Sequence, residues 1–468
     1  MKKLITIIVY AVLWMGWFIC YPYMLRWFEG ASFFSTLPDY AGVHFHFPSE
    51  IFRYCGAFLL QFYAWPLAGA AIQAALAVLI ILCIWSIVKR LFKDPDRLFW
   101  IPFLFLPAVV YLQLGDMTLE HTCAVLAIAV LLAATVWGVR SLRKFQFTLP
   151  AFMRKAWLTM TVPALAALLS LYFVYDGPMG RQHEEIARLE YLGEHQQWTE
   201  ILETVPLQES LTNTYKRKYV LLALAETGKL ADYAFRYGLS GSGDFMFQNA
   251  DGPLSLNFNT IFYRSLGLAN PVVYCAYQQS LQSLPGISFD ALRTLTDMYL
   301  DNRDYDLAKK YMDILDHSLT HGKWVKERLP KLEAIRDAEP LDRMTGEPFI
   351  LEDFINDMSS LVSRYPDNAR YADYLLCGLL ADRDGGRFYD FFRFLAPRLY
   401  PDGNGIPHLY QEALLLIASQ DPRILDIYHI DEEVWKRFTD FTGMMQNGKT
   451  APGMRYGGIL LLFVEGRK

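Results

Sequence analysis

Charge is scarce in this chain. Of its 468 residues, 20% are Asp, Glu, Lys or Arg, where an ordinary globular domain carries about 25%. A chain that is low in charge and rich in apolar residues is neither disordered nor collagenous. Cysteine is sparse and unpatterned. Cys20, Cys55, Cys83, Cys123, Cys275 and Cys377 make no C-x-x-C or Cys/His zinc spacing, which excludes a disulfide-knotted scaffold and offers no zinc site. A basic surplus is missing too. The net charge is −5, and a phosphate backbone needs a basic surface, so nucleic acid is excluded as a partner. Gly241-Ser-Gly243 lacks the Lys of a P-loop and does not open a βαβ unit. Ser240 is not in a G-x-S-x-G elbow, because the fifth position is Ser242. Asp382-Arg-Asp384-Gly385-Gly386 carries two carboxylates of a calcium loop, but Arg393 stands where the closing Glu belongs. No catalytic, cofactor-binding or metal-ligating residue is assigned, and no cofactor is implied.

What is plentiful is apolar and aromatic side chain, 53% and 15% of the residues, and it is concentrated before Asp176. Leu4–Leu25 is 22 residues without a formal charge, enough at 1.5 Å per residue to cross a hydrocarbon core of about 30 Å. It is too long and too aromatic at its end for a signal peptide, so it reads as an uncleaved first span. Leu67–Val88, Leu98–Leu114, Thr122–Val139 and Ala156–Tyr175 are four more. Ile51–Trp65, aromatic and closed by Pro66, reads as an interfacial helix or a kinked extension.

Lys and Arg set the orientation. Lys2 and Lys3, the loop 89–97 and the loop 140–155 together hold 11 of them, and the alternate loops hold only Arg26 and Arg53. That asymmetry puts the N-terminus in the cytoplasm, and five spans put everything after Asp176 outside it. Up to Asp176 the chain has 13 Lys+Arg against 8 Asp+Glu; beyond it, 31 against 41. A basic membrane half thus precedes an acidic tail.

From Arg181 the pattern changes to apolar residues at i, i+3, i+4 and i+7. Phe289–Leu300 and Tyr305–Leu315 form the clearest helical pair, joined by a polar turn at Asp301–Asp304. Looser copies are Ile186–Tyr191 with Trp198–Leu202, Tyr219–Ala225 with Leu230–Phe235, and Tyr371–Leu380 with Phe388–Leu395. These resemble tetratricopeptide-like repeats at irregular spacing; a non-repeating helical domain is the alternative. Gly238–Leu256 and Ala338–Pro348 read as breaks, so the expected domains are a transmembrane region 1–176, a helical repeat subdomain 177–337 and a C-terminal helical subdomain 349–468. The fold class is all-α. The apolar run Gly457–Val464 is too short to span a membrane. Cys275 and Cys377, outside the membrane, read as two buried thiols rather than a disulfide.

On the aromatic-rich spans and stretches such as Leu221–Leu230, the order of parts resembles an uncharacterised family of bacterial inner-membrane envelope proteins. Such proteins have a polytopic N-terminal region and a tetratricopeptide-like tail in the periplasm, and the resemblance implies no activity. The leading function is non-enzymatic: a membrane-anchored protein whose tail binds an envelope protein or peptide in a concave groove. In the best helical pair, Arg293, Thr296 and Tyr299 are the expected groove lining, and Ala308, Met312 and Leu315 the packing face. The alternative is an integral-membrane enzyme of envelope polymers, such as a lipid-carrier-dependent glycosyl transferase, built on Asp39, His44 and Asp116. That alternative turns on whether His44, His46, Asp116 and His121 converge from two outer loops into a metal or acid–base site. A transporter subunit lacks its main cue, an ionisable residue in mid-span.

Overall fold

The computed structural model describes residues 1–446, apart from 46, 140–146, 178–179, 249, 251, 283–285, 342–346, 348–352 and 420. The apolar run Gly457–Val464 and most of the break Ala338–Pro348 lie outside the described residues. Among those described, every regular element is a helix, and the single β-bridge joins Phe92 and Phe147.

Five helical segments are long and apolar enough to cross a membrane: Lys2–Cys20, Pro66–Leu91, Pro95–Gly115, Glu120–Gly138 and Leu158–Asp176. The first stops at Cys20 rather than running on to Leu25. Pro22 has no N–H to continue the ladder and instead opens a new helix, Pro22–Gly30. The third is only part α-helix. Pro102 opens a 3₁₀ stretch, Ile101–Phe105, and Pro107 opens the α-helix Leu106–Gly115. About half of the second and third segments is buried within the bundle, against about a fifth of the first and fourth, so the first and fourth turn most of their apolar surface outward.

The chain divides into two compact units that are not consecutive in sequence. One is Met1–Arg188 with Ala276–Leu341; the other is Leu189–Cys275 with Asp342–Lys468. The linear division expected at Asp176 does not follow these units, although Leu341 falls inside the expected break. Tertiary contacts made by residues far along the chain, rather than a change of composition, draw the boundaries.

In the first unit, the basic loops gather at one end of the bundle. Lys2 pairs with Asp96 and lies 5.2 Å from the Trp85 ring centre. Arg154 pairs with Asp94 at 3.0 Å. Residues 22–64 occupy the other end, with the helices Phe289–Asp301, Tyr305–Asp316 and Gly322–Ala334. Backbone bonds hold them there: Phe289 N–H donates to Ser32 O at 2.8 Å, and Thr36 N–H to His317 O at 2.8 Å. The expected interfacial stretch is the helix Pro48–Leu60 followed by a 3₁₀ turn to Ala64.

The second unit is built on an aromatic core. Phe245 stacks on Phe354 at 4.8 Å and meets Tyr374 at 5.2 Å. Phe245 comes from the stretch expected to be a plain loop, so that loop contributes to the core. Lys218, itself buried, secures it by donating to Gly243 O and Met246 O, and burial lowers its pKa to about 8. Cys275 and Cys377 are buried and form no disulfide.

One turn recurs along the chain after Arg181. Gln197, Lys229, Leu268, Asp304 and Asp384 each donate an N–H to the carbonyl five residues back, at 2.7–3.1 Å. The residue before each donor has positive φ, which is the Schellman ending of a helix. Glycine fills that position at Gly228 and Gly267, but Gln196, Arg303 and Arg383 fill it elsewhere. The glycines Gly385 and Gly386 lie inside the next helix, Gly385–Leu399.

Candidate functional site

The residues expected in the outer loops converge only in part. Asp116 is buried. Its Oδ2 accepts from the Thr122 N–H at 2.6 Å, satisfying one of the free donors that begin the fourth span, and its Oδ1 lies 3.2 Å from His121 Nδ1. Glu120 pairs with Arg53 at 3.0 Å. His44 goes elsewhere: its ring is boxed by Tyr40 at 4.7 Å and Tyr54 at 5.9 Å. Both ring nitrogens are buried without a hydrogen-bond partner, and burial lowers the pKa of the ring. Asp39 is exposed in the first turn of Pro38–His44, and His46 lies outside the described residues. Among the described residues no three His, Cys, Asp or Glu side chains are placed to hold a metal.

Four ionisable groups in the first unit do converge. Glu29 Oε1 is 3.0 Å from His321 Nε2, and Glu29 Oε2 is 3.3 Å from Arg293 Nη2. Arg293 also bonds Asp290 Oδ1 at 2.5 Å. Phe289 stacks on the His321 ring at 4.0 Å. Burial works against the Glu29 carboxylate, but Arg293 and His321 outweigh it and hold its pKa below the usual range. At Asp290 burial wins and raises the pKa. Gly30 lets the chain pass: a Cβ there would sit 1.9 Å from Asp290 Oδ2. This corrects the expected groove lining. Arg293 is an internal ion-pair partner, and Thr296 is fully buried, with its hydroxyl on Leu292 O at 2.8 Å. Tyr299 is buried as well. The spacing located the helix, but the helix Pro22–Gly30, far away in sequence, meets Arg293, and Tyr311 stacks on Tyr299. Ala308, Met312 and Leu315 are buried as expected.

The second unit holds a less settled site, a cavity of about 330 Å³ partly open to solvent. The helix His408–Ala418 puts His408 and Glu412 one turn apart on the face that lines it. Asp232 and Arg236 come from Leu230–Tyr233 and the residues just after it, and Arg437 from Glu432–Gln446. Glu412 is 3% exposed. Its ion-pair partner is Arg437 Nη2 at 3.5 Å, longer than a good charge-assisted hydrogen bond. Burial raises Glu412 to about 7, with Arg437 pulling the other way. Arg437 has Nε and Nη2 buried without a hydrogen-bond acceptor. His408 lies 3.3 Å from Asp431. Behind the same helix, Tyr410 donates to Asp373 Oδ1 at 2.7 Å, and burial raises Asp373 to about 6. Sequence reasoning missed this site. Its one signal was the polar pair Gln411-Glu412 inside an otherwise apolar helix, HLYQEALLLIA.

A family of unknown function, DUF6057, matches residues 1–179 and 144–458. The chain belongs to this family. DUF6057 carries no stated activity, so the chemistry of the cavity has to be read from its own side chains. No curated protein and no solved structure matches the chain.

Proposed function

We propose that the chain is a non-enzymatic, membrane-anchored binding protein of a bacterial envelope. Five spans fix it in the inner membrane with its N-terminus in the cytoplasm, and its helical tail is presented in the periplasm to a protein or peptide. The observation that carries the reading is the tail itself. In its second unit, residues 231–236 and the helices His408–Ala418 and Glu432–Gln446 line a cavity with charged side chains of both signs, a surface suited to recognition. The orientation rests on the loop asymmetry of 11 Lys and Arg against 2. It is supported by the grouping of the basic loops at one end of the bundle, with residues 22–64 and 289–334 at the other. The outer loops give the enzyme reading no support, because His44 is boxed by tyrosines and Asp116 serves a helix start.

Two measurements test this. An alkaline phosphatase fusion after Asp176 should be active, and a cytoplasmic reporter at the same position silent. A photo-crosslinking amino acid in place of Tyr233, at the cavity rim, should capture a polypeptide in intact cells. A silent phosphatase sinks the orientation; the absence of any polypeptide adduct sinks the binding role.

A further inference from the structure

We propose that the cavity of the second unit takes the C-terminal carboxylate of a peptide, with the last amide N–H directed to Glu412. This deepens the binding role proposed above and rests on it. The argument starts from what the cavity leaves unsatisfied. Arg437 Nε is buried with no acceptor, its Nη2 has only the long Glu412 pair, and Arg236 adds a second guanidinium to the lining. Buried donors without acceptors are costly, and a guanidinium fork matches a carboxylate in shape and charge. Glu412, almost fully buried in the same wall, has one ion pair, 3.5 Å long. It calls for a donor, not a second anion.

A ligand that brings only negative charge would meet Glu412 and Asp232 unfavourably. A ligand that brings only positive charge would meet Arg236 and Arg437. A peptide end brings a carboxylate and, one residue's width away, an amide N–H. It therefore answers both demands at once. The cavity volume of about 330 Å³ lies at the small end of ligand pockets, room for one or two residues rather than a long segment. Arg236 and Asp232 are exposed at the rim, where the ligand would enter.

The test uses the full-length protein in detergent and equilibrium dialysis. The probes are a pool of N-acetylated tripeptides with free carboxyl ends, the same pool amidated, a pool of free amino acids, and inorganic phosphate. The acid pool should be retained, and the amidated pool should bind at least about tenfold more weakly, the scale of one lost hydrogen bond to a charged group. Arg236→Ala and Arg437→Lys should each weaken the acid pool and leave the amidated pool unchanged. Arg236 is exposed, so Arg236→Ala keeps its melting temperature and serves where Arg437→Lys disturbs the fold. Equal binding of the acid and amidated pools overturns the proposal, as does retention of neither. Free amino acids binding as well as the tripeptides would make this a small-molecule site, and phosphate binding as tightly would make it a simple anion site; either result also overturns it. A fusion result that moves the tail to the cytoplasm would leave the dialysis result standing, so the two readings fail separately.

Discussion

The two units treat buried charge in opposite ways. In the first, Glu29, Asp290, Arg293 and His321 close on one another, and aromatic and backbone contacts wrap the cluster. In the second, Glu412 and Arg437 face each other loosely beside a cavity. The residue types are nearly the same, yet the first arrangement leaves little for a ligand to add. A cluster whose charges pair several times over fixes a fold, and a single long pair is where binding energy is available.

The largest expected effect comes from separating the first unit's parts. Expressed alone, residues 177–468 lack Glu29, Ser32 and Thr36, so the helices 289–334 lose the groups that pair with Arg293, Phe289 and His317. Hydrogen exchange should show those helices unprotected and the core around Phe245 and Tyr374 protected. Equal protection in both would show that the contacts with residues 29–36 are dispensable. Next comes Arg293→Ala, which removes the cation shared by Glu29 and Asp290 and should cost about 3–5 kcal/mol of stability in chemical denaturation of the full chain. A loss below about 1 kcal/mol would erase the contrast between the units.

Gly30→Ala forces a methyl group against Asp290 and should cost about 1–3 kcal/mol. Ala308→Leu, at a fully buried site, should cost a similar amount by overpacking, and Thr296→Ala somewhat less, through one lost internal hydrogen bond. Both can be read from thermal melts. The effect at Glu412 differs from these in depending on pH. Its folded pKa of about 7 stands above its unfolded value of about 4.3, so the folded state binds more protons between the two. Stability therefore falls as pH rises across that window. Glu412→Gln should flatten that fall, and the difference between wild-type and variant melts from pH 4 to 8 isolates it. A difference that does not change with pH would place Glu412 in an ordinary solvated setting.

Much of the membrane half was legible because a run of apolar residues is a local property. All five membrane-length segments begin or end within a few residues of where hydropathy and prolines put them. The pair Phe289–Asp301 and Tyr305–Asp316 was legible by its period and by the Asp304 cap, which accepts from the Leu307 N–H. What covers that pair was not legible, since the partner of Arg293 is 264 residues away and no periodicity reports such a distance. The turns were half legible. Gly228 announces one, but Gln196, Arg303 and Arg383 take the same left-handed conformation without glycine's freedom, held by the two bonds of the motif. The cavity left almost no trace, because Glu412 looks like any helix-forming residue until its neighbours are known.

The pairing of Glu29 with Arg293 also sets an order of events during synthesis. Glu29 is made just after the first span, and its cation is added 264 residues later. At roughly 5–20 residues per second that interval lasts tens of seconds. Through it, all five membrane-length segments are made while residues 22–64 still lack the helices that pack on them. The first unit cannot close until most of the second unit's N-terminal stretch has emerged from the ribosome. A chain arrested before Arg293 would therefore hold Glu29 without its cation.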